Sequence, residues 1–224
     1  MARRTKEEAQ ETRENLLNAA LEVFCEKGFS RTRLSDVAER IGMTRGAFYW
    51  HFKDKTSLLA GLLTKMRDRE ETLVRMQVPE LETLEDLQAH FTARARVLIE
   101  DETCHKIVFF LTQQVEWSVE MREAVHREVC HLRERPFAEI THTLQKAHDA
   151  GQLRPGTNVD EVADILIGLY MGLAGNYMRN FLHSDFERAV ASGFSTVLHA
   201  ISIPANENKS GREAEVQASK ETCE

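Results

Sequence analysis

The segment MTRGAFYWHFKDK, Met43 to Lys55, puts Gly46, Tyr49, Trp50, His51 and three cations into thirteen residues of a chain whose net charge is −7. Thr44 is placed to cap a short helix, because a Thr oxygen accepts from the open N–H groups of a first turn. That helix ends near Phe52. Asp54 then caps a long helix that runs through Leu58, Leu59, Leu62 and Leu63 to about Met76. Working backwards, Leu34, Val37, Ala38 and Ile41 form the apolar face of another short helix, which Gly42 stops. Ahead of it lies a longer helix with the stripe Leu17, Ala20, Leu21 and Phe24, a capping box of Thr5 with Glu8, and Gly28 as its stop. Two helices joined by a short turn with a glycine make a helix-turn-helix.

If the third helix enters a DNA major groove, its N-terminal residues meet base edges. Arg45 carries the two-pronged donor that fits guanine. Gly46 lets backbone approach closely. Tyr49, His51 and Trp50 offer donors at phosphate range, and Lys55 sits at a helix N-terminus, which itself attracts phosphate. Ala47, Phe48 and Phe52 pack the helix on the first two. On the residues alone, Tyr49, Trp50 and His51 as a plain domain interface remains open.

Composition bounds the rest. Hydrophobic residues make up 42% and charged residues 29%, as in ordinary soluble proteins. Residues 1–56 hold 11 Lys and Arg against 9 Asp and Glu, whereas the remainder hold 18 against 27. A basic head on an acidic body suits a chain that meets a polyanion with its first quarter only. No apolar run reaches a membrane-spanning length and no signal-peptide core opens the chain, so the expected location is the cytoplasm, with no membrane partner. The four cysteines, Cys25, Cys104, Cys130 and Cys223, are irregularly spaced and read as reduced thiols. Cys104-His105 and Cys130-His131 diverge on a helix and cannot chelate locally, so no metal and no cofactor is expected. No phosphate loop, zinc-protease helix motif or nucleophile elbow is present, and the chain is not read as an enzyme.

The string RTRLSDVAERIGMTRGAFYWHFKDKTSLL resembles the DNA-binding signature of TetR-family transcriptional regulators. The opening MARRTKEEAQETRENLLNAALEVF is similar to AcrR/TtgR-type repressors of multidrug efflux pumps. The close match covers about residues 1–63, with Met43 and Phe48 where smaller aliphatics are usual. The resemblance implies a homodimer on a palindromic double-stranded DNA operator. It implies that Thr44 and Arg45 read bases, that Tyr49, Trp50, His51 and Lys55 clamp phosphates, and that Thr32 approaches one.

The rest of the chain reads as helices over roughly 83–101, 104–120, 121–150, 158–181 and 185–202. In HKIVFFLTQQVEWSVEM, Phe110, Gln113 or Gln114, Trp117 and Met121 recur at helical spacing beside a stripe of Phe109, Gln113, Glu116 and Glu120. Amides and a carboxylate among rings suit a pocket with apolar walls and a few polar groups. A second wall is Tyr170, Met171, Asn176, Tyr177 and Phe181. The expected ligand is small and lipophilic, and cationic if Glu116 is a buried carboxylate beside Trp117 and Phe109. The competing reading pairs Glu116 with Arg94 or Arg96. Gly168, Gly172 and Gly175 give one helix a small-residue face, and the resemblance implies that the helices at 158–181 and 185–202 form the dimer interface. The expected architecture is all-α: a DNA-binding domain at 9–69, a ligand-binding and dimerisation domain at 70–203, and a disordered tail at 204–224. The function this implies is ligand-released repression, of an efflux operon by resemblance. The alternatives are a regulator of metabolism answering to a metabolite and a ligand-independent architectural DNA-binding protein.

Overall fold

The computed structural model describes residues 6–129 and 131–204. Thr5 of the expected capping box, Cys130, Cys223 and all but the first residue of the expected tail lie outside the described residues. Among the described residues the fold is all-helical. Its elements are α1 (Lys6–Lys27), α2 (Leu34–Arg40), α3 (Arg45–His51), α4 (Lys55–Gln77), α5 (Leu84–Glu100), α6 (Glu102–Phe109), a π turn (Phe110–Gln114), α7 (Val119–Val129), α8 (His131–Asp149), α9 (Val159–Met178) and α10 (Phe186–Ile201).

Two compact units emerge. The first gathers the chain up to Leu73 with Val97–Arg135 and Met178–Phe181. Its core takes Leu16, Leu17, Ala20 and Phe24 from α1, Val37 and Ala38 from α2, Phe48 from α3, Leu58, Leu59 and Leu62 from α4, and Ile107 and Phe110 beyond. These positions recur every three or four residues, so each helix turns one stripe inward. Local chemistry sets the ends. The Thr44 oxygen accepts from the Ala47 N–H at 3.3 Å, and an Asp54 carboxylate oxygen accepts from the Ser57 N–H at 2.7 Å. Gly42 turns the chain between α2 and α3 at φ +64°, a conformation that favours glycine. Arg40 reaches back to Glu22 and Glu26 and ties α2 to α1. Where α1 crosses α4, a Cβ on Gly61 would stand 2.9 Å from Leu17 Cδ2 and 3.0 Å from the Phe52 ring, so any larger residue has to push those side chains aside.

The second unit comprises Val74–Arg96, Pro136–Tyr177 and the chain from Leu182. Leu87 and Phe91 of α5, Leu144 of α8, Leu166 and Tyr170 of α9, and Phe186, Val190 and Phe194 of α10 are buried. Phe91 and Phe194 stack at 4.2 Å. Arg75 grips Glu139 at 2.7 Å, and the buried Thr143 donates to the Leu81 carbonyl.

One expected element is not there. The helix read over 104–120 stops at Phe109, widens into the π turn and runs extended at Val115 (φ −92°, ψ 118°) before α7 begins. The cause is a side chain. The Trp117 indole N–H donates at 2.9 Å to the Leu111 carbonyl, the acceptor that Val115 would use in a continuing α-helix. Ser118 then starts the next helix, its hydroxyl oxygen accepting from the Met121 N–H at 3.1 Å.

Candidate nucleic-acid interface

α3 is short, and it is held from behind. Phe48 is fully buried, with Phe52 beneath it at 6.2 Å between ring centroids. The opposite face is open. Tyr49 is 41% exposed and Trp50 73%, and Thr44, Arg45 and Gly46 are exposed beside them. The Arg45 guanidinium lies 5.5 Å from the Tyr49 ring centroid, and Trp50 meets His51 edge-on at 4.7 Å. The cap uses the Thr44 oxygen as an acceptor, which leaves its own O–H to donate outward. A Cβ on Gly46 would meet nothing within 4 Å. The fold therefore does not require glycine at 46, and any close approach it serves is to something outside the chain.

Two expected phosphate contacts sit differently. Lys55 donates to the Phe29 carbonyl at 2.9 Å and the Ser30 carbonyl at 3.3 Å, and its ammonium lies over the Phe29 ring. Burial lowers its pKa from the ordinary lysine value. Thr32 is 2% exposed, and its hydroxyl donates to the Gly28 carbonyl at 2.8 Å. Both side chains brace the turn after α1, and whatever else they contact, they fix the placement of that turn. The expectation had not included Lys53, an exposed cation between α3 and α4 that stands 3.3 Å from Glu128 of α7. Its presence in the Met43–Lys55 segment was the available signal.

A family model described as "Bacterial regulatory proteins, tetR family" matches residues 16–62, which span the helix-turn-helix and the start of α4. The chain is 33% identical over 185 residues to the probable HTH-type transcriptional regulator ArpR of Pseudomonas putida, covering 80% of this chain and 85% of that one. The chain belongs to the TetR family of bacterial regulatory proteins. Among solved TetR-type structures, NalD, the secondary repressor of the MexAB-OprM multidrug efflux pump in Pseudomonas aeruginosa, is similar with a TM-score of 0.72 at 27% identity, covering 89% of this chain and all of that one. SmeT in complex with triclosan is similar with a TM-score of 0.68 at 27% identity, covering 87% and 93%. SmeT is the repressor of the Stenotrophomonas maltophilia multidrug efflux pump SmeDEF.

The ligand candidates of this TetR-family chain divide between the units. In the first, Phe110 is fully buried and stacks on Phe24, which makes it a core residue. Phe109 is 38% exposed, and Gln113 is exposed with its amide donating to Thr112. Trp117 and Met121 are half-buried against the same core. Gln114 Oε1 is buried with no hydrogen-bond partner among the described residues. Glu116 is exposed, so the expected buried carboxylate is corrected: the break after the π turn carries it to solvent.

In the second unit Tyr170 is buried against Phe91 at 5.7 Å, with the Arg94 guanidinium over its ring at 5.0 Å. Arg96 pairs with Glu187 and Gln77. Tyr177 stacks flat on Phe186 at 4.6 Å, whereas Met171 and Asn176 are exposed. A groove of about 410 Å³ in the first unit, lined by Thr12, Asn15, Asn18, Glu22, Arg40 and Met43 among others, holds none of these candidates. No helix among the described residues is long and apolar enough to cross a membrane.

Proposed function

We propose that this TetR-family chain is a dimeric repressor of a multidrug efflux operon, released from a palindromic operator by a small lipophilic ligand. The observation that carries the DNA half is α3: an exposed Thr44, Arg45, Gly46, Tyr49 and Trp50 on a helix rooted in the core by Phe48. Arg45 and Thr44 would face bases, and Trp50, His51 and the exposed Lys53 would face phosphates. The relatives supply the efflux half, because NalD and SmeT are similar along most of this chain's length and not only at its helix-turn-helix.

The functional division we propose follows 9–69 for DNA and 70–203 for ligand and dimer. Along α9, Ile165 and Met171 are 53% and 63% exposed beside the open Gly168 and Gly172, a face that would admit a second copy's helix closely. With α10 it would hold two α3 helices about 34–36 Å apart, or a multiple of that, for successive major grooves. A ligand acts only through its differential affinity for the binding and non-binding conformers. The usual coupling of about 1–3 kcal/mol would weaken operator binding about 5- to 150-fold.

The experiment is displacement. Labelled DNA from upstream of the chain's own coding sequence is bound by the protein and challenged with lipophilic cations, bile-salt-like anions and flavonoids. Release by one class supports the proposal and names the inducer chemistry. Specific binding that no compound perturbs would remove the ligand half and leave the DNA half.

A further inference from the structure

We infer that Tyr49 is a positioning residue for Arg45, and through it a determinant of base preference, rather than a phosphate contact. The inference rests on the reading of α3 as the base-reading helix.

The two residues stand four apart, so they share one face of the helix. The Arg45 guanidinium carbon lies 5.5 Å from the Tyr49 ring centroid, and Arg45 Nη2 is 3.4 Å from the phenol oxygen. The second contact is long for a hydrogen bond and the ring centroid lies within cation–π range, so the ring can hold the guanidinium without the hydroxyl. The ring itself is not adrift. It meets Phe48 edge-on, with centroids 5.9 Å apart and planes at 83°, and Phe48 is fully buried. Core, Phe48, Tyr49 and Arg45 therefore form one chain of contacts that ends at an exposed cation.

This arrangement matters because arginine is long and has many rotamers. A side chain that has to be ordered on binding loses that freedom, and one already held loses less. A guanidinium carries five N–H donors, so one held beside a ring and spending a single donor on its hydroxyl keeps others for an acceptor pair such as O6 and N7 of guanine. A hydroxyl aimed at phosphate would strengthen binding to every sequence alike. A ring that holds Arg45 strengthens binding only where Arg45 has its base, so the two roles separate in the pattern of discrimination.

The test uses the full chain, DNA from upstream of its coding sequence, and a set of duplexes substituted one base pair at a time. Wild type, Arg45→Ala, Tyr49→Phe, Tyr49→Ala and the double variant Arg45→Ala/Tyr49→Ala are compared, with thermal melting to confirm that each is folded. Arg45→Ala marks the base pair it reads by a loss of discrimination of about 5- to 150-fold. Tyr49→Ala is expected to lose at least about fivefold at that same pair and little on a scrambled duplex. Tyr49→Phe is expected to keep most of the discrimination, and Tyr49→Ala to add little once Arg45 is gone. The inference is overturned if Tyr49→Phe and Tyr49→Ala weaken all duplexes alike and add fully to Arg45→Ala, which is the signature of a phosphate contact. If Arg45→Ala leaves discrimination at wild-type level, the reading of α3 fails first and this inference with it.

Discussion

Phe110 lies flat on Phe24, ring centroids 5.1 Å apart and planes within 2° of parallel, and both side chains are fully buried. Phe29 leans on both, at 5.3 and 6.4 Å, and its carbonyl holds Lys55. The start of the π turn is thus packed on the end of α1 and, through Phe29, on the first turn of α4.

A truncation here should be costly. Phe110→Ala is expected to destabilise the chain by about 3–5 kcal/mol, as for other buried phenylalanines. Phe110→Leu keeps most of the volume and should cost less. Because Phe110 packs in the core, Phe110→Leu protein that remains folded should bind a displacing ligand as wild type does. Denaturant titration and ligand titration on the same samples check both statements, and a loss of ligand affinity without a loss of stability would make Phe110 a pocket residue after all.

Gly46 should behave in the opposite sense. With nothing within 4 Å of its missing Cβ, Gly46→Ala is expected to leave stability unchanged or raise it by up to about 1 kcal/mol. The added methyl would stand between α3 and DNA, and operator affinity should fall at least about tenfold, roughly 1.4 kcal/mol. Melting temperature and anisotropy binding separate the two effects. Unchanged DNA affinity would mean that no backbone approach occurs at this position.

Asp101 ties α4 to α6. Both its oxygens accept from Arg69 Nε at 2.8 Å, and one accepts from the Cys104 N–H at 2.9 Å. The Arg69 guanidinium beside it, with the Cys104 backbone N–H, pulls its pKa from 3.8 to about 2. A folded-state pKa below the unfolded one gives stability that is complete above about pH 4 and fades as pH falls toward about 2. Asp101→Asn should therefore cost at most about 2 kcal/mol at neutral pH, with the gap to wild type closing across that acid window. Denaturation midpoints measured at a series of pH values test it, and a gap that stays constant down to pH 2 would remove the ion pair as its source.

Gln114 offers a prediction of a different kind. Its Oε1 is buried without a hydrogen-bond partner among the described residues, and a buried acceptor left so costs about 1–3 kcal/mol. Gln114→Met keeps the shape and removes the acceptor, so the unliganded chain should be no less stable, and more stable by up to that amount. If the amide receives a donor from the ligand, release from DNA by hydroxyl- or amine-bearing compounds should weaken in the same variant. Reduced stability together with unchanged release would show that Gln114 serves packing only.

Much of the first unit was legible because its signals are local. Thr44, Asp54, Gly28 and Gly42 act on their own turns, and the stripes of α1, α2 and α4 repeat at helical spacing. The break after Phe110 was hidden because Phe110, Gln114, Trp117 and Met121 keep that spacing while the chain does not. An indole reaching back to Leu111 leaves no periodic trace. The carbonyl partners of Lys55 were hidden for a related reason: they lie 25 and 26 residues away, brought close only by the fold. Arg45 and Tyr49, four apart on a visible helix, were each read alone when the spacing already placed them together.

The most direct test of the central claim compares wild type with Arg45→Ala on DNA from upstream of the chain's own coding sequence and on a scrambled duplex, at two salt concentrations. If α3 reads bases through Arg45, wild type should discriminate strongly between the duplexes. The variant should then bind both with similar, weak, salt-sensitive affinity, the mark of phosphate contacts alone. An Arg45→Ala protein that still separates the two duplexes as well as wild type would contradict the account.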